Sequence, residues 1–172
     1  MPDVDDVTMS TCLALISLCT GTVLHITGTA TPGWSMLHGA NNSTLLGFWI
    51  LCDNFMCQSL PEQFYSVYVQ VCSVLAILGF VFSFLALVMA GLRMRSKQSR
   101  CLFTSLAAGS CFMAAVFVSV CLLVWGLFVQ EKLKPEGYTL GYSFILSIAG
   151  GCLIGISGVF LAAGGRMCSR AA

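Results

Sequence analysis

Charge is scarce in this sequence. Only 9% of its 172 residues are Asp, Glu, Lys or Arg, where a soluble domain carries about 25%. Hydrophobic residues make up 58%, and the mean hydropathy is +0.91. A chain this short cannot hide so much apolar surface from water, so lipid is the expected solvent. The net charge of +1 gives no electrostatic case for a nucleic-acid partner. Glycine-rich phosphate loops of the Walker or dinucleotide type are missing as well.

What is present is four long apolar segments, at roughly Val7–Thr27, Tyr65–Leu92, Cys101–Val129 and Thr139–Gly165. Each reaches the roughly 20 residues needed to span a bilayer, and none contains Asp, Glu, Lys or Arg. The second and third exceed that length and should tilt or project beyond the headgroups. The expected fold is an all-α membrane protein. Residues 1–172 form a single four-transmembrane-helix domain, with a small extracellular β-hairpin or sheet from the first loop.

The basic residues orient the bundle. Arg93, Arg95, Lys97 and Arg100 crowd the link between the second and third segments, and Arg166 and Arg170 follow the fourth. By the positive-inside rule this side is the cytoplasm. In a multi-pass plasma-membrane protein both termini are then expected in the cytoplasm, with residues 28–64 as a large outside loop and 130–138 as a small one. Gly28-Thr29-Ala30 could serve a signal peptidase. However, signal peptides open with a basic region, and no Lys or Arg precedes Arg93, so the first helix is expected to be retained.

The outside loop contains two overlapping glycosylation sequons, at Asn41 and Asn42. Of the ten cysteines, only Cys52 and Cys57 fall outside, where an oxidising compartment makes pairing the default. A redox pair would favour C-x-x-C, and zinc would need more ligands than His38 and a few acids. The six-residue ring contributes about 2 kcal/mol by loop entropy. Leu45–Leu51 is rich in strand formers and Asp53-Asn54 is turn material. Together they suggest a stapled hairpin. Cys101 and Cys168, at the cytoplasmic ends of helices three and four, have a geometry that suits palmitoylation. The remaining six read as small core residues.

Gly47, Trp49, Cys52 and Cys57, with Trp34 just beyond the first helix, resemble the first-loop signature of the claudin and peripheral myelin protein superfamily. The short Cys-to-Cys spacing and the phrase Gly141-Tyr142-Ser143-Phe144-Ile145-Leu146 look more like the epithelial membrane proteins. The resemblance implies that Trp49 packs the loop against the outer helix ends, leaving Phe55 and Met56 at the tip to meet a partner. Two departures stand out. Tyr65, Tyr68 and Gln70 stand where claudins usually carry an arginine. The tail, Ser169-Arg170-Ala171-Ala172, lacks the hydrophobic motif that PDZ scaffolds capture, so such binding is not expected.

Gly151, Gly155, Gly158 and Ala162 form one face of helix four that includes a GxxxG, and Ala107, Cys111 and Ala115 form a similar face on helix three. These faces are expected to pack within one bundle rather than to form a dimer seam. His25 is the sole histidine in a span and is expected to be buried and hydrogen-bonded. No cofactor or metal is expected.

Three functional classes follow. The first is adhesion, junction or membrane organisation through the first loop, by contact with other membrane proteins. The second is an accessory subunit of a channel or receptor. An enzyme comes last, for want of paired ionisable residues near either face. Apolar loop residues (Leu45, Leu46, Phe48, Phe55, Met56) are expected to be exposed for a protein partner. The orientation has a direct check. Epitope tags at either terminus should bind antibody only after permeabilisation. Labelling of an N-terminal tag on intact cells contradicts it.

Overall fold

The structure, a computed structural model, describes residues 4–38, 43–53, 56–62, 66–95 and 100–170. The order of elements is α1 (Val4–Ala30), β1 (Ser35–His38), β2 (Ser43–Leu46), β3 (Ile50–Asp53), β4 (Met56–Ser59), α2 (Val67–Arg95), α3 (Arg100–Val124), α4 (Gln130–Leu133), β5 (Thr139–Leu140) and α5 (Tyr142–Arg170). Among the described residues four stretches are long and apolar enough to cross a membrane: Met9–Ala30, Val67–Met94, Cys101–Leu133 and Tyr142–Gly165. This is the architecture of a multi-pass membrane protein, and the stretches match the sequence expectation to within a few residues. A helix suits lipid because it satisfies its backbone polar groups internally. The first helix is the most polar, and its threonines follow the same logic. Thr22, Thr27 and Thr29 each donate a hydroxyl hydrogen to the carbonyl one turn back, at 2.8, 2.9 and 2.6 Å.

α1 packs along α5, α2 along α3, and α3 also along α5, while α1 and α2 meet over a much smaller face. Small residues set the close approaches. A Cβ at Gly21 would stand 2.9 Å from the Gly150 carbonyl oxygen, and one at Gly150 would stand 2.8 Å from the His25 backbone nitrogen. The GxxxG face of the last helix turns inward. Gly151 lies against Val118, Gly155 against Ala115 and Gly158 against Cys111, all on α3.

α3 does not stop where its apolar run does. It passes through a π-helical turn, Trp125–Val129, into α4 and a 3₁₀ turn, Lys134–Glu136. The sequence expectation ended the span at Val129, before the first polar side chains. A helix needs lipid for none of its hydrogen bonds, so this one carries on beyond the apolar zone. It ends at Gly137, whose φ of 88° only glycine adopts readily. There the Gly137 amide donates to the Lys134 carbonyl.

The strands form one antiparallel sheet in the order β4-β3-β2-β1-β5. It is larger than a stapled hairpin, and its last strand comes from the second loop. Leu45–Leu51 is also two strands rather than one. The chain turns between them, with the Gly47 amide donating to the Ile50 carbonyl at 3.0 Å. A Cβ at Gly47 would meet the Pro32 Cα at 2.8 Å, so glycine is required at this crossing.

The glycines allow a direct comparison. Gly150→Leu should force α1 from α5 and cut the yield of folded protein in mild detergent. Gly109→Ala adds a methyl where nothing lies within 4 Å. It should leave thermal stability unchanged or raise it, by up to about 1 kcal/mol.

Candidate functional site

The sheet stands over one end of the bundle, and a cluster of aromatic rings joins the two. Trp34 follows α1, Phe48 sits in the β2–β3 turn and Trp125 lies in the π-helical turn of α3. All three are fully buried. The Trp34 ring centroid is 4.2 Å from Phe48 and 5.2 Å from Trp125, and Phe48 is 5.1 Å from Trp125. Phe144 of α5 meets Trp34 edge-on at 5.8 Å. These rings bring together the first loop, α3 and α5. Aromatic pairs of this kind contribute about 0.5–1.5 kcal/mol each beyond their area.

A buried indole needs a partner for its N–H, and both tryptophans have one. Trp34 Nε1 donates to the Gly28 carbonyl at 2.8 Å, capping the end of α1. Trp125 Nε1 donates to Ser35 Oγ at 3.2 Å, and Ser35 Oγ donates to Gln130 Oε1 at 2.7 Å. Gln130 Nε2 donates in turn to the Tyr138 carbonyl at 2.7 Å. This chain of bonds runs from the bundle through β1 to the second loop. Backbone bonds finish the joint. The Gly141 amide donates to the Trp34 carbonyl at 3.0 Å and the Ser143 amide to the Gly33 carbonyl at 2.9 Å. The phrase opening the last helix is therefore the docking strip for the start of the first loop.

The residues singled out from sequence fall into distinct places. Cys52 and Cys57 are opposite one another on β3 and β4 and are joined by a disulfide, S–S 2.01 Å. Trp34 and Gly47 are buried at the joint. Trp49 is not at its centre. It is 38% exposed, edge-on to Phe48, and walls a hollow of about 180 Å³ with Ile26, Thr29 and Ala30 of α1 and Ala76, Ile77 and Phe80 of α2. It touches the helix ends, but from the rim. Met56 is 80% exposed, and every residue of β4 is exposed. Phe55, Asn41 and Asn42 lie outside the described residues, as does the side chain of Cys168. Cys101 is disulfide-bonded, which leaves no thiol there for the acyl group expected of it.

The expectation that Leu46 and Phe48 face a partner is corrected. Leu46 is 2% exposed and Phe48 1%, because the β2–β3 turn drives both into the aromatic cluster. The sequence reading also missed Phe48, Trp125, Ser35 and Gln130 as a group. A tryptophan beside glycine late in an apolar segment was the available signal. His25 is buried as expected and spans the narrow α1–α2 face, its Nε2 donating to the Ala76 carbonyl at 3.0 Å. Near the start of α2 an aromatic ring meets a cation. Lys132 Nζ sits 4.9 Å from the centroid of the Tyr68 ring, which stacks on Phe128.

No model of a known protein family matches this chain, and no curated protein matches it.

The burial pattern ranks the aromatic residues. Trp34→Ala should destabilise the protein by about 3–5 kcal/mol and prevent its delivery to the cell surface. Trp49→Ala should cost less than half of that, read as thermal stability in the same detergent. Equal losses contradict the ranking.

Proposed function

We propose that this chain is a non-enzymatic membrane protein of the claudin and epithelial membrane protein type. It acts in cell–cell contact, junctions or membrane organisation, with its sheet facing the cell exterior and both termini in the cytoplasm. One observation supports this reading above the rest. The sheet is fixed to the bundle at β1, through Trp34 and Ser35, while β4 at the other edge is fully exposed. Among the described residues β4 pairs on one side only, with β3. Such an edge offers unpaired backbone groups to another strand. Met56 adds an apolar side chain where the disulfide holds the hairpin in shape.

The partners under this proposal are other membrane proteins, copies of this chain included. A second reading, an accessory subunit of a channel or receptor, has its own support. A groove of about 420 Å³ opens between α3 and α5, with Gly151, Ser119 and Cys152 among its lining. Its walls otherwise include the large apolar side chains of Leu122, Leu123, Phe144 and Ile148, which a partner helix would cover.

One pair of variants separates the readings. Phe55→Ser with Met56→Ser should leave surface biotinylation at wild-type level and reduce partner co-precipitation at least fivefold. Ser119→Leu, at an exposed residue of that groove, should leave co-precipitation unchanged if the hairpin is the contact. The reverse pattern moves the binding surface to the α3–α5 groove.

A further inference from the structure

Cys72 of α2 and Cys121 of α3 face each other across the seam between those helices. Cys72 Sγ donates to the Cys121 carbonyl at 3.6 Å, and Cys121 Sγ donates to the Cys72 carbonyl at 3.4 Å. Each sulfur therefore reaches the backbone of the other residue, which places the two thiols side by side. Both are fully buried. No other cysteines among the described residues are opposed in this way as free thiols. Cys12, Cys19 and Cys152 are exposed on the bundle surface, and Cys111 accepts a hydrogen bond from Ser157 Oγ.

A buried cysteine by itself is a small core residue. The reciprocal pair is a different arrangement, because a disulfide requires two Cβ atoms directed at each other across a short gap. The pair also sits in the core cluster that holds Val69, Trp125 and Leu46, directly beneath the sheet. Under the proposed orientation this end, with its Cys52–Cys57 disulfide, faces the oxidising cell exterior.

We propose that Cys72 and Cys121 form a redox site, the reduced state of a disulfide that clamps α2 to α3. Closing it joins the two sulfurs and releases two protons and two electrons. An incoming disulfide, from oxidised glutathione or a thiol–disulfide oxidoreductase, takes the electrons and leaves as two thiols. The seam must part briefly for this exchange, since neither sulfur is exposed. Once closed, the clamp holds α3 one helical turn before Trp125, the ring on which the sheet rests.

The test uses the full chain in native membranes. These are treated with the membrane-permeant thiol oxidant diamide, denatured in excess N-ethylmaleimide, and digested without reduction. The expected product is a Cys72–Cys121 linked peptide pair, dispersed by dithiothreitol and absent from Cys72→Ala. Maleimide on both residues after oxidant treatment overturns the proposal. A second readout is thermal stability. Diamide should raise the melting temperature of the wild type by several degrees and leave Cys72→Ala/Cys121→Ala unchanged. Cys52–Cys57 remains closed in both arms, so an equal rise in the double variant assigns the effect elsewhere and overturns the proposal as well.

Discussion

The arrangement of this protein depends on two buried indole rings whose N–H groups must find acceptors. Trp34 takes the last turns of α1, at Gly28, and Trp125 takes Ser35 on the first strand. An unpaired indole N–H in such a place costs about 1–3 kcal/mol, so each ring holds its partner in register. The two rings touch, and Phe48 closes the group from the β2–β3 turn. The sheet is thus bonded to the helices at β1 and packed on them at β2–β3. The far edge, β4, is held through its neighbours and the Cys52–Cys57 staple. The sheet is thus fixed near one edge and open at the other.

Beneath the sheet the helices solve a different problem. Lipid supplies no hydrophobic force between them, so close contact must do the work. Glycines at Gly21 and Gly150 bring α1 and α5 together, and Gly151 and Gly158 bring α5 to α3. Alanines, with Leu18, Cys111, Ile154 and Leu161, fill the half of the bundle away from the sheet. α1 and α2 share less surface, and His25 bridges them with one hydrogen bond. The hollow under Trp49 opens on that thinner side.

Much of this architecture was legible in the sequence, for physical reasons. A span is announced by the absence of charge, and the four spans were read from that alone. The disulfide followed from Cys52 and Cys57 being the two cysteines between spans. The inward turn of Gly151, Gly155 and Gly158 was also readable, since small residues at helical spacing serve close packing. The sheet was less legible. β5 has two residues and exists only because Ser35 and Met36 lie opposite it. Leu46 and Phe48 looked exposed because a loop sequence carries no sign of which residues a turn drives inward. The role of Trp125 depends on a π-helical turn and on Ser35, 90 residues away. Such long-range pairing has no periodicity to reveal it.

The central claim is that the sheet is held to the helices through Trp34 and Trp125 rather than hanging as a loop. Amide hydrogen exchange on the protein in lipid nanodiscs tests it directly. Amides of β1–β3, and those of Trp34 and Gly47 beside them, are expected to exchange orders of magnitude more slowly than free loop amides. In Trp34→Ala that protection should be lost from the sheet while the long helices keep theirs. Rapid exchange throughout the sheet of the wild-type protein would contradict it.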